Sequence, residues 1–200
     1  MARTREFDTD SVVAAATETF RRKGYAGASL RDLSEATGIG SGSLYAAFGS
    51  KEGLYLAALD QYRARYAHAL IDQLNAENDP VAAVRSAFAR AVDVMIDDAR
   101  ERSCLIVGAA AECAHAAPEV AERLKATTES LRRALARTLA QAREQQRLAS
   151  AADPDDLARF LVTTFQGLRV MAAIDPDRSA LHRAAEVAVD SVFDAASPRG

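Results

Sequence analysis

The sequence predicts an all-α protein, and three features carry that prediction. Apolar residues recur at spacings of three and four along nearly the whole chain, whereas no stretch alternates with period two for long enough to make a strand. The periodic segments are separated by serine, glycine and Asp-Pro clusters, which stop and start helices. Of the 200 residues, 49% are apolar and 26% charged, with five prolines, a balance that suits a folded chain and excludes a disordered or fibrous one.

Taken in order, the first helix is expected over 10–23, with Val12, Val13, Ala16 and Phe20 on one stripe and Gly24 as its stop. Ser29 has the place of an N-cap for "LRDLSEAT", whose Leu30, Leu33 and Ala36 should face inward before Gly38 ends it. Ser41 is expected to cap a short helix over 42–48 that Gly49 ends, and Ser50 to cap a longer one from Lys51. Longer amphipathic helices are expected over 51–76, 80–100, 103–115, 118–147, 155–174 and 178–195, with Pro80, Pro118, Pro154 and Pro176 near four of their starts. Two short capped helices within twenty residues form a helix-turn-helix pattern.

Charge singles out the same region. Residues 1–66 hold nine Lys and Arg against eight Asp and Glu, a net of +1, whereas the remainder nets −4. An anionic partner is therefore expected to meet the N-terminal third, where Arg3, Arg5, Arg21, Arg22, Lys23, Arg31 and Lys51 sit.

Within "SGSLYAAF", Leu44 and Phe48 are four apart and belong to the core side, which turns Ser41, Ser43, Tyr45 and Ala46 outward. Such a face suits a major groove: hydroxyls for phosphates or base edges, Ala46 for a thymine methyl, Gly42 for close backbone approach, and the Tyr45 phenol for a phosphate. Lys51 and Arg31 each stand in the first turn of a helix, where a positive charge opposes the dipole. A phosphate or guanine partner would explain both.

The stretch "VVAAATETFRRKGYAGASLRDLSEATGIGSGSLYAAFGSKEGL" resembles the N-terminal signature of TetR-type transcriptional regulators, in Phe20, Gly24, Tyr25, Ser29, Leu33, Ala36, Gly38, Ile39, Gly42, Leu44, Tyr45, Phe48, Lys51, Glu52 and Leu54. The resemblance implies a three-helix DNA-binding domain over 1–50 with its helix-turn-helix at 29–48, and a larger antiparallel helical domain over 51–200 for ligand binding and dimerisation. It further implies that Tyr45 and Lys51 grip phosphates while Arg31, Ser41, Gly42 and Ser43 sit at base edges; Ser29 and Ala46 are expected at the same DNA interface. Two positions depart from the pattern. Ala47 stands where an aromatic or His often precedes the Phe, and Gly53 where Glu or Gln would complete a capping box with Ser50.

Expected partners follow: a double-stranded, palindromic DNA operator, a second copy of the chain, and an unknown small-molecule effector. A single short recognition helix reads few base pairs, so a dimer is expected, its interface built from 155–174 and 178–195 through Leu157, Phe160, Leu161, Leu168, Met171, Leu181, Ala185 and Val192. The same apolar stripes would equally serve to close the chain's own core. A ligand pocket is expected among Tyr62, Tyr66, Phe88, Val92, Met95, Cys104, Phe165 and Arg169, which mix apolar walls with polar handles. Cys104, next to a helix start and near Arg102, has the setting of an activated thiol or of an inert buried one. "CLIVGAAAE" also resembles a branch of the family that senses electrophiles through a cysteine here.

Other classes find little support. No G-x-S-x-G, phosphate-binding glycine loop or H-E-x-x-H occurs, and His68, His115 and His182 are scattered, so no enzyme is expected. The competing reading is a helical ligand-binding or reactive-thiol protein with no DNA role. Cys104, Cys113, Glu112, His115 and His68 match no zinc spacing, so no metal or cofactor is expected. The two cysteines, nine apart, point to opposite sides of a helix and cannot pair within it. The longest apolar run, "CLIVGAAA", is far short of the ~18 residues of a membrane span, and the N-terminus lacks a signal-peptide core. A cytoplasmic, membrane-free protein is expected.

Overall fold

A computed structural model describes residues 7–99, 104–113, 117–149 and 152–193, and within these the side chains of 66–68 and 98–99 fall outside the description. The described residues form nine helices: α1 (Thr9–Gly27), α2 (Leu30–Thr37), α3 (Ser41–Phe48), α4 (Lys51–Ala76), α5 (Pro80–Ala99), α6 (Leu105–Glu112), α7 (Pro118–Glu144), α8 (Pro154–Ile174) and α9 (Arg178–Asp190). They fall into two compact units, Met1–Ala64 with Leu105–Leu124, and Arg65–Cys104 with Lys125–Gly200. The first unit thus reaches beyond residue 50 and takes in α6.

In the first unit α1 packs against α2 and α6, and α2 against α3. Val12, Val13, Ala16 and Phe20 of α1 are buried with Leu33, Leu44, Leu54, Tyr55, Ala58 and Leu59. Each large apolar side chain so buried contributes about 1.5–3 kcal/mol. Phe20 and Tyr55 meet edge to face at 4.8 Å, and Tyr25 leans on Tyr55 at 4.8 Å. The helix α1 does not stop at Gly24 but kinks there, with φ 72° and ψ 173°, and continues to Gly27. That backbone region is open essentially to glycine alone.

Ser29 caps α2 as expected, and Asp32 completes a capping box by accepting from the Ser29 backbone N–H at 2.9 Å. Leu33 is buried, but Ala36 is exposed, which corrects its inward placement. Ser41 does not cap α3. The extended residue is Gly40, so Ser41 is already helical and its hydroxyl is left outside the cap. Ser50 does cap α4, accepting from Gly53 N–H at 3.0 Å.

The second unit is built on α5, α8 and α9, with contributions from α4 and α7. Phe88, Val92 and Ile96 of α5, Leu135 and Leu139 of α7, Leu161 and Phe165 of α8, and Val189 of α9 form its centre. Charged pairs tie the rim: Arg85 to Asp190 at 2.7 Å, Arg178 to Asp97 at 2.6 Å, and Arg147 to Asp79 at 2.9 Å. Helix α7 ends three residues before the expected 147, at Glu144, where Gln146 turns the chain at φ 57°. The chain after it pairs with the chain after α9 through the isolated bridge of Leu148 with Phe193.

Among the described residues, helix α8 is long and apolar enough by length and composition to cross a membrane, a test that the core helix of a soluble protein also passes. Scattered charges break its apolar run in sequence, so the run length misses it. Six of its residues, Ala158, Leu161, Val162, Phe165, Leu168 and Ala172, line the core of the second unit instead.

Candidate functional site

The outward face of α3 is assembled by one buried residue. Leu44, 2% exposed, anchors the helix and Phe48 is half-buried, leaving Ser41, Gly42, Ser43, Tyr45 and Ala46 exposed together. The absence of a side-chain cap leaves the first N–H groups of α3 open at the same end as the Ser41 and Ser43 hydroxyls. Exposed N–H donors, the positive end of the helix dipole and two free hydroxyls suit an anionic, hydrogen-bonding surface.

Around this face the structure gives two expected residues local partners. Arg31, 86% exposed at its side chain, donates to Glu35 at 2.8 Å, one turn on in α2. The pair supplies an intrachain reason for a cation in that first turn, and being exposed it is worth little and exchanges readily. Lys51 lies over the ring of Tyr25, its Nζ 4.6 Å from the centroid. Ser29 is exposed at the start of α2, where its hydroxyl serves the capping box. Asp32 there is held far below the ordinary carboxylate range by the hydrogen bond from Lys23 and then by that from Ser29. Thus α2 is stapled to α1 through Lys23 and Asp32 at 2.5 Å.

The missing capping-box carboxylate after Ser50 has a steric cause. A Cβ at position 53 would lie 2.0 Å from the carbonyl oxygen of Phe48, so the turn joining α3 to α4 closes only over glycine. Gly53 therefore sets the angle at which α3 is presented.

Two matches decide the family. Residues 12–58 match the bacterial regulatory proteins of the tetR family, and residues 80–188 match the tetracyclin repressor-like C-terminal domain. The chain belongs to the TetR family. It is 32% identical over 195 residues to the HTH-type transcriptional regulator YezE of Bacillus subtilis (strain 168), covering 97% of this chain and 100% of that one. It is 31% identical over 171 residues to the HTH-type transcriptional repressor ComR of Escherichia coli (strain K12), covering 85% and 81%. Among solved structures, a cysteine mutant of the TetR family regulator CifR, complexed with 26bp double-strand operator DNA, superposes with TM-score 0.82 at 33% identity, covering 94% of this chain and 98% of that one. The TetR-family fold and the helix-turn-helix character expected from 29–48 are those of this chain, which is a DNA-binding transcriptional regulator.

Of the residues expected to line a pocket in this TetR regulator, the structure joins four. Phe88 and Phe165 meet edge to face at 5.9 Å, Arg169 lies 4.9 Å over the Phe165 ring, and its guanidinium donates to Cys104 Sγ at 3.2 Å. Val92 is buried on the same helix as Phe88, and Met95 packs against that core. Arg169 Nε and Gln166 Oε1, three residues apart on α8, are buried without a hydrogen-bond partner. Tyr62 does not belong with these. It is buried in the first unit, under the Arg21 guanidinium at 5.3 Å. The side chain of Tyr66 lies outside the described residues, as do His68, Arg102 and His115.

The residues expected at a dimer interface divide by burial within the chain. Leu161, Leu168, Leu181, Ala185 and Val192 are each at most 5% exposed, and Leu157 packs against the same core, because these stripes close the chain's own second unit. Phe160 and Met171 alone of the eight are exposed. Val170 and Ile174 of α8 are exposed on the same side of that helix, and Val187 is exposed on α9.

Several site residues escaped sequence reasoning. Asp32 and Glu35 were readable in principle, as S-x-x-D and as an i,i+4 pair with Arg31. Glu112, which accepts from the Ala26 N–H at 3.1 Å across 86 residues, carries no local signal.

Proposed function

We propose that this regulator is a two-fold homodimer that represses transcription by holding a palindromic operator, and that an effector bound to the second unit releases it. The observation that carries the reading is the exposed, hydroxyl-bearing face of α3, with the N–H groups at its start free of any side-chain cap. In this reading Ser41, Gly42 and Ser43 meet base edges, Ala46 meets a thymine methyl, and Tyr45 and Lys51 hold phosphates. Arg31 leaves Glu35 for a base or phosphate, exchanging a solvent-screened ion pair for a bidentate contact.

Pairing through Phe160, Val170, Met171, Ile174 and Val187 covers the apolar face and yields two recognition helices. On the duplex these must lie about 34–36 Å apart, or a multiple of it, to enter successive major grooves. The ligand site lies around Phe88, Phe165, Arg169 and Cys104, where a guanidinium with an open N–H stands beside aromatic walls and a thiol. A small molecule or an electrophile held there shifts the regulator toward a pose with the wrong spacing.

Selection of random duplexes by the purified protein at ~0.15 M salt, followed by sequencing, tests the reading at a salt where specific and non-specific binding separate. A recovered two-fold palindrome is the expected result; recovery of unrelated sequences by a folded dimer overturns it. Arg31→Ala and Ser43→Ala should relax base preference by about 1–3 kcal/mol each, whereas Lys51→Ala should weaken all duplexes alike. On the effector side, Cys104 should alkylate well ahead of Cys113, whose thiol is pushed up by burial. Equal rates would remove the thiol from the effector site.

A further inference from the structure

The last turn of α6 meets the kink of α1, beside Lys51 at the start of α4. Glu112 Oε2 accepts from Ala26 N–H at 3.1 Å. Its other oxygen fills the space beside Gly24, where a Cβ would come within 2.5 Å of it. Between these two contacts stands Tyr25. Its ring packs on Phe20 at 6.3 Å and on Tyr55 at 4.8 Å, and Cys113, the next residue after Glu112, is among the groups that raise the Tyr55 hydroxyl after burial. The Tyr25 ring also carries the Lys51 ammonium, its Nζ 4.6 Å from the centroid.

We infer that Tyr25 is the positioning residue for Lys51, and that Glu112 fixes Tyr25 in that place by clamping the backbone on either side of it. The inference rests on the reading of Lys51 as a phosphate contact. Lysine loses more rotamer freedom on immobilisation than most side chains, so an ammonium already parked over a ring meets a phosphate at lower entropic cost. The ring occupies one side of the ammonium and leaves donors for a phosphate on the other. Because Glu112 is the last residue of α6 and Cys113 follows it directly, the seating of that helix on α1 sets how well Lys51 is presented.

The test uses the full chain, a mixed-sequence duplex of about 30 base pairs, and titrations between about 0.05 and 0.2 M salt. Lys51→Ala should flatten the slope of log K against log salt by about 0.9 per protomer. Tyr25→Leu should weaken binding about two- to fivefold and flatten the slope in the same sense, while adding nothing in a Lys51→Ala background. Tyr25→Phe, which keeps the ring, should bind like the parent. Glu112→Ala should reproduce part of the Tyr25→Leu loss and Glu112→Gln, still an acceptor, should restore it. Glu112 is exposed, so its variants carry the test if melting shows that Tyr25→Leu has lost its fold. Additive losses from Tyr25→Leu and Lys51→Ala, or a Tyr25→Phe as weak as Tyr25→Leu, overturn the inference. So does a Glu112→Ala that binds like the parent. An unchanged slope for Lys51→Ala would instead overturn the phosphate reading on which it stands.

Discussion

Helices α3 and α8 both present a face to solvent, and the two faces are built on opposite terms. On α3 one buried leucine suffices to expose a run of small, polar or hydroxylated residues, Ser41, Gly42 and Ser43 among them. On α8 six residues are buried and the exposed side is still apolar, with Phe160 and Met171 both 46% exposed and Ile174 70%. A polar exposed face is what any surface helix has, so its meaning comes from geometry: the open N–H groups, the short capped neighbours and the Gly53 turn. An apolar exposed face beside a complete core has meaning by itself, since water contact at several large side chains is relieved by covering them.

Substitution on the two sides of α8 sharpens that distinction most. Leu161→Ala should lower unfolding free energy by about 2–5 kcal/mol, read by thermal or denaturant melting. Phe160→Glu combined with Ile174→Glu should leave the helical content intact and move the sedimentation profile from dimer to monomer at micromolar concentration. Dissociation by the first and not the second would reverse the assignment of the two faces. At the α3 end, Gly53→Gln should cost about 1–3 kcal/mol despite supplying the missing capping-box side chain, because its Cβ collides with the Phe48 carbonyl. A stabilised variant would show that the turn opens easily. Ser29→Ala should cost about 1 kcal/mol through loss of the α2 cap, with the same melting readout.

The smallest effect is one of pH. Glu129 on α7 is held at about 2, against an ordinary 4.5, by hydrogen bonds from Arg132 and then Arg133. Its folded value is depressed, so its stabilisation is complete above about pH 4.5 and fades as pH falls toward 2. Carboxyl chemical shifts followed through acid titration should show this midpoint, and Arg132→Ala should return it toward the ordinary value.

Legibility in the sequence followed the range of the interaction. Caps at Ser29 and Ser50, the inward Leu44 and the outward α3 face were all readable because they depend on neighbours within four residues. The cap at Ser41 was misplaced by one residue, since Gly40 gives no side-chain signal of its own. For α8 the stripe through Leu157, Leu161, Leu168 and Ala172 was legible, but whether it faced a partner or the chain's own core was open until the packing placed it in that core. An apolar helix wider than one face cannot say which side its own chain covers. Arg31 and Lys51 read as unexplained cations until Glu35 and Tyr25 were placed beside them. Contacts such as Glu112 with Ala26, or Arg169 with Cys104, join residues far apart in the chain, and only the packing of helices brings them together.

The return of 105–124 to the first unit has a consequence for biosynthesis. Residues 1–64 are made before the rest of their unit, since α6, which covers α1, and the acceptor for Ala26 are encoded some forty residues later. At about 5–20 residues per second, that gap is about 2–8 s during which the helix-turn-helix exists without its clamp. The nascent regulator therefore emerges with its DNA-reading unit incomplete until all of the second unit's α5 has also been made.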